Sequence, residues 1–103
     1  MQGGGSKVRQ AHLLVLYLPG EAAESRFGVT VSRKVGNAVT RNRVKRWLRE
    51  AIRHERDRVG GRWDVVFIAH PSAAGGDAAQ LHAQVAEALR RISAGRREAG
   101  PRR

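Results

Sequence analysis

Residues 27–53 read FGVTVSRKVGNAVTRNRVKRWLREAIR, and this stretch decides the fold predicted for the whole chain. Phe27, Val29 and Val31 alternate with small or polar residues, which is the period-two pattern of a strand with one buried face. A Gly-Asn pair then ends the strand, and Asn37 can cap a helix by accepting a hydrogen bond from a first-turn amide. The stretch therefore predicts a strand, a turn and a helix.

The predicted helix runs from Asn37 to about Arg58, because apolar side chains recur with the period of a core-facing stripe. That stripe comprises Val44, Trp47, Leu48, Ala51 and Ile52. The side chains expected on the opposite face are Asn42, Arg43, Arg46, Arg49 and Arg53. Between Arg33 and Arg49 the sequence has seven Lys or Arg residues and no acid, which favours a polyanion as the partner of this face. The alternative is a solvated face that only keeps the protein in solution.

Two further strands and a second helix are predicted around this stretch. Residues 13–18 (LLVLYL) are apolar on both faces, and the Pro-Gly turn that follows predicts a hairpin with the next strand. Residues 64–69 (DVVFIA) form a continuous apolar run, typical of a fully buried strand. Asp77 can cap a last helix that runs to about Ser93, with Leu81, Val85, Leu89 and Ile92 inward. This order predicts an α+β fold, a small mixed β-sheet packed by helices.

The length of 103 residues predicts a single domain. We place it at residues 8–94, between a flexible Gly-rich start (residues 1–7) and a basic, disordered tail (residues 95–103). Twenty basic against nine acidic residues give a net charge of +11, which favours nucleic acid because neutralised phosphates release counterions. No apolar run approaches the roughly 20 residues of a membrane-spanning helix, so a cytoplasmic protein with no membrane partner is expected.

Residues 26–53 resemble the signature of the bacterial ribonuclease P protein family, and the likeness continues more loosely through LLVLY, DVVFIA and the last helix. The resemblance implies a left-handed βαβ crossover through the basic helix, as in the second domain of a small-subunit ribosomal protein. It implies the non-catalytic protein subunit of an endoribonuclease that removes the 5′ leader of precursor tRNA. The partners would be the catalytic RNA subunit and the leader, with no role for DNA. A structural RNA-binding module of ribosomal-protein type is the alternative.

The resemblance assigns the chemistry to the RNA subunit, with Mg²⁺ in the holoenzyme and no cofactor bound by the protein alone. No catalytic or metal-binding residue is predicted, since the four histidines lack the spacing of a helical metal site and are interpreted as isolated surface residues. RNA contacts are implied for Lys34, Arg41, Asn42, Arg43, Lys45, Arg46, Arg49 and Arg53.

A cleft on the sheet is also implied, where the single-stranded leader would lie. Its expected lining is Val15, Tyr17, Thr30 and Ser32, and Tyr17 offers a ring on which an unpaired base can stack. The alternative for Tyr17 is ordinary core packing with a hydrogen-bonded hydroxyl. Family members carry a first helix with two phenylalanines that forms one wall of this cleft. Only MQGGGSK precedes the predicted domain, which leaves no room for that helix in this sequence. The start is either artificially short or that of a natural variant with a half-open cleft, and in both cases a weaker hold on the leader is expected.

Overall fold

A computed structural model describes residues 6–99 of the chain, with side chains described as far as residue 93. Its strands and long helices are β1 (Ser6–Arg9), β2 (Leu13–Pro19), β3 (Arg26–Thr30), α1 (Ala38–Glu55), β4 (Trp63–Ala69) and α2 (Ala78–Ala99). Short 3₁₀ turns lie at Arg33–Val35, Arg56–Arg58 and Pro71–Gly75. The predicted α+β class is confirmed, because both helices pack on a mixed four-stranded sheet.

Both long helices begin where the sequence predicted. The Asn37 side-chain oxygen accepts a hydrogen bond of 2.9 Å from the Thr40 amide. A side chain at Gly36 would come within 3.0 Å of Thr40, so only glycine fits beside this first turn. At the start of α2, Asp77 accepts from the Gln80 amide at 2.8 Å and Gln80 accepts from the Asp77 amide at 3.1 Å. This reciprocal pair is a capping box, and it satisfies two amides that the helix itself leaves unpaired.

The strand pairing differs from the predicted hairpin. The sheet order is β1-β2-β4-β3, so β4 lies between the two strands that were expected to pair. Strand β4 runs antiparallel to β2 and parallel to β3, which makes β3, α1 and β4 a βαβ unit. The turn after Pro19 ends β2 as predicted, but Gly20 then donates to the carbonyl of Arg62. Strand β4 contains the apolar run DVVFIA. A strand that is apolar on both faces is most stable in the middle of a sheet, where neighbouring strands cover both of its edges. The hand of the crossover stays a prediction.

The two ends of the domain extend further than predicted. Ser6 and Lys7, assigned to a flexible start, pair in β1 with Tyr17 and Leu16 of β2. This strand has one buried apolar residue, Val8, and so gives almost no periodic signal in the sequence. Helix α2 continues to Ala99, so part of the tail predicted to be disordered is helical. Residues 1–5 and 100–103 lie outside the described residues.

The hydrophobic core lies between one face of the sheet and the two helices. Phe67, Leu13 and Leu48 are its largest members with essentially no exposed surface. The four inward residues predicted for α2 are all buried, as are four of the five predicted for α1. The exception is Trp47, which packs against the core while remaining partly exposed. The core therefore fixes the rotation of α1 about its axis and decides which of its side chains face outward.

Candidate nucleic-acid interface

The outward face of α1 carries a stripe of exposed polar and basic side chains. Its members are Asn42, Arg46, Arg49 and Arg53. They lie opposite the buried stripe of α1, as the helical period predicted. Val39 in the first turn shares this side of the helix and is 73% exposed. We call these four polar residues the α1 stripe.

Among the side chains that the structure describes, no carboxylate forms an ion pair with the α1 stripe or the basic residues around it. Among the side chains described, every ion pair lies outside residues 33–53. Glu50 stands one helical turn from Arg46, but no ion pair forms between them. By contrast, Arg26, Arg90 and Arg91 all pair with acids, at 2.9, 2.6 and 2.8 Å respectively. Basic residues without an acidic partner are therefore clustered in α1 and the turn before it, which suits a partner that brings its own negative charge.

Three of the predicted RNA-contact residues are only partly available. Arg41 donates from Nη1 to the carbonyl of Gly36 at 3.0 Å, so its guanidinium is partly engaged in holding the start of α1. Lys45 is half-buried at the side of the helix, whereas Lys34 is exposed in the 3₁₀ turn before it. Arg43, predicted on the outward face, lies at its border, where its guanidinium carbon is 5.4 Å from the ring centre of Trp47.

The predicted lining of a leader cleft does not form one surface. Val15 is completely buried between the sheet and the helices, so its assignment to a cleft is wrong. Tyr17 lies on the same helix-covered face, half-buried, with its ring edge-on to Trp63 at 5.6 Å. Thr30 is on the opposite face of the sheet. Ser32 is exposed and accepts a hydrogen bond from the Lys34 amide, which caps the 3₁₀ turn.

The other face of the sheet is uncovered by either helix, and we call it the open face. One row across it consists of Lys7, Leu16, Val66 and Gly28, and the next consists of Arg9, Leu14, Ile68 and Thr30. Val66, near the centre, is 37% exposed. The face thus has an apolar floor, two cations along the β1 edge and small residues along the β3 edge. The sequence indicated an apolar open face, because LLVLYL is apolar at successive positions and so has two apolar faces.

An ion pair closes one end of the open face. Arg26 on β3 donates two hydrogen bonds of 2.9 Å to the Asp64 carboxylate on β4. The hydrogen bond from Arg26 holds the pKa of Asp64 below its ordinary value, and the same bond raises the pKa of Arg26. Both groups therefore stay ionised at neutral pH, and Arg26 keeps an internal partner that the residues of the α1 stripe lack.

Two histidines expected to be isolated lie together between the helices. The His54 and His82 rings stack at 5.8 Å, and His82 Nε2 is 2.7 Å from a carboxylate oxygen of Glu55. An ionised carboxylate only accepts, so the imidazole donates. That bond is the main reason why the pKa of Glu55 is lowered. Within the described residues, no three His, Asp or Glu side chains converge to hold a metal ion.

A membrane-crossing helix is not found in the part of the chain that the structure describes.

Comparison with known proteins gives one consistent result. The family model described as Ribonuclease P matches residues 2–93 of this chain. A ribonuclease P protein component from Desulfatibacillum aliphaticivorans is 37% identical over 93 residues, covering 90% of this chain and 79% of the relative. Another from Desulfovibrio desulfuricans is 41% identical over 93 residues, covering 86% and 72%. The solved RNase P protein from Thermotoga maritima, in complex with 1-(4-fluorophenyl)-2-thiourea, superposes with a TM-score of 0.78. It is 28% identical and covers 85% of this chain and 86% of that one.

Proposed function

This chain belongs to the ribonuclease P protein family, and from that premise we propose how its surfaces serve the endoribonuclease of which it is a part. The α1 stripe and its basic neighbours bind the phosphate backbone of a catalytic RNA subunit. That RNA cleaves precursor tRNA in the cytoplasm with Mg²⁺ that it largely holds itself. The protein supplies positive charge, orientation and a surface for the 5′ leader.

The observation that carries this proposal is the segregation of charge. Eight basic residues lie between Arg33 and Arg53, and in the described part of the chain none of them pairs with an acid. Arginine outnumbers lysine among them, and its planar fork suits bidentate contact with phosphate. Cations held on a rigid helix bind phosphates at a small cost in conformational entropy. They also replace Mg²⁺ ions that a folded RNA otherwise needs as counterions.

Adding the protein to a bacterial ribonuclease P RNA is expected to stimulate cleavage of precursor tRNA at low Mg²⁺ by about tenfold or more. The measurement is single-turnover cleavage of a 5′-labelled precursor with RNA alone, protein alone and both together. Tight binding without stimulation would instead identify a structural module of ribosomal-protein type. Cleavage by the protein alone would place the chemistry on the protein and contradict the proposed division of labour.

We assign the leader to the open face of the sheet. Single-stranded RNA needs apolar surface for its bases and cations for its backbone. The row from Lys7 through Leu16 and Val66 to Gly28 offers both, and the missing side chain of Gly28 keeps the surface beside Val66 low. The open face has no aromatic ring among the residues that form it, so base contacts there are apolar packing without stacking. Such contacts tolerate any leader sequence.

Replacing Val66 with glutamate is expected to weaken holoenzyme binding of precursor tRNA about tenfold, because a carboxylate at the centre of the open face repels the leader phosphates. Mature tRNA, which has no leader, should bind within about twofold of the original affinity. Ala79→Glu on the exposed first turn of α2 adds the same charge away from the open face and serves as the control. Equal weakening of both RNAs by V66E would show that the open face does not hold the leader.

A further inference from the structure

We propose that Trp47 is a positioning residue, which holds the Arg43 guanidinium with its terminal edge turned toward the RNA. The inference rests on the proposed function and deepens it, since it explains how one arginine of α1 is oriented before it binds an RNA phosphate. Trp47 stands four residues after Arg43, so the two side chains are neighbours on the same helix surface.

The indole ring of Trp47 is a fixed platform. Trp47 packs against the hydrophobic core on one side and remains partly exposed on the other. The guanidinium carbon of Arg43 lies 5.4 Å from its ring centre, within the range of a cation–π contact. Arg43 is itself half-buried, so a long and flexible side chain is held along the helix surface in place of extending freely into water.

The donors of Arg43 separate into two sets. Its Nε is buried and has no hydrogen-bond partner. Neither of its two terminal nitrogens is buried without a partner, and neither donates to an acceptor among the described residues. They are therefore open to solvent. A guanidinium held in this way presents its terminal N–H pair outward, which is the edge that bridges two phosphate oxygens.

A second arginine–aromatic pair differs from this one, because its arginine has acceptors within the protein. The Arg56 guanidinium lies 5.1 Å from the ring centre of Phe27. Its Nη2 donates to the Ser25 carbonyl at 3.4 Å and lies 4.0 Å from a carboxylate oxygen of Glu24. Arg56 thus finds acceptors inside the protein. Arg43 has the same aromatic support without an acceptor, and this difference points to an acceptor supplied from outside.

Holding Arg43 in place before binding removes part of the entropy cost of ordering it on the RNA. Loss of the platform should therefore weaken binding through Arg43 alone. We expect Trp47→Leu to raise the Kd for a bacterial ribonuclease P RNA by about three- to tenfold. Trp47→Phe, which keeps a weaker platform, should fall between Trp47→Leu and the unchanged protein.

The test is a double-mutant cycle with Arg43→Ala, measured as Kd for ribonuclease P RNA at fixed salt, with thermal unfolding recorded for every variant. The proposal requires that Trp47→Leu weakens binding in the original protein and changes nothing further once Arg43 is alanine. Equal weakening in both backgrounds would reduce Trp47 to a purely structural residue and overturn the inference. If Trp47→Leu is too unstable, Trp47→Phe supplies the same cycle with a smaller effect.

The same measurements separate this inference from the proposed function. If Arg43→Ala weakens RNA binding but Trp47 shows no coupling to it, only the positioning role fails. If the unchanged protein neither binds the RNA tightly nor stimulates cleavage, the proposed function fails and the inference falls with it.

Discussion

A variant in which Arg46, Arg49 and Arg53 are all glutamine is expected to bind ribonuclease P RNA about a hundredfold more weakly near 0.1 M salt. The three side chains are exposed, unpaired and on one face of α1. Removing one phosphate interaction should flatten the plot of log Kd against log salt by about 0.7 to 0.9 units, so the slope should change by roughly two to three units. Salt-dependent binding by filter retention or anisotropy measures both quantities together. Glutamine is shorter than arginine but has a similar helix propensity, and the three positions are exposed, so folding should be unaffected.

The chain supplies its own matched control in three arginines that already have acidic partners. Replacing Arg58, Arg90 and Arg91 with glutamine removes the same total charge. Arg90 and Arg91 both donate to Glu87, and these bonds lower the pKa of Glu87, so their charge is already offset. We expect the slope of log Kd against log salt to change by less than about one unit. Salt screens the interaction of these arginines with RNA phosphates that lie more than roughly 10 Å away. Equal flattening by both triple variants would mean that net charge, and not the α1 stripe, drives binding.

The basic helix was predictable because its signal is local. The Asn37 cap, the spacing from Val44 to Ile52 and the run of basic residues all lie within residues 33–53, in one helix or directly before it. Such a pattern fixes which side of a helix faces the core to within the angle between adjacent side chains. The prediction was wrong at this level of detail, for side chains at the border between the two faces. Arg43 and Trp47 lie at the border between the two faces, where they contact each other.

The sheet was less predictable because strand partners are set by contacts distant in sequence. Phe27 and Val29 showed the correct alternation, but nothing near them indicated that β4 would be their neighbour. Strand β1 is short and has one buried side chain, so it forms only by pairing with β2. A period of two separates the faces of a strand without saying which one the helices cover. The placement of Val15 in a leader cleft failed for this reason.

Truncating Phe67 to alanine is expected to destabilise the protein by about 3 to 5 kcal/mol, which is a large share of the stability of a domain of this size. Phe67 is the largest completely buried side chain and lies in β4, between β2 and β3 and beneath the helices. No neighbour can move far enough to fill the space, since the strands on either side are fixed by their ladders. Urea unfolding followed by Trp63 and Trp47 fluorescence measures the free energy of unfolding.

The adjacent residue Val66 is the control for this assignment of faces. It is on the same strand but points to the open face, so Val66→Ala should cost less than about 1 kcal/mol. Phe67→Ala protein that remains folded should bind RNA with unchanged Kd, because the side chain contacts only the core. A stability loss at Val66 as large as that at Phe67 would mean that the open face is covered in solution. In that case the open face would not be available to bind the leader.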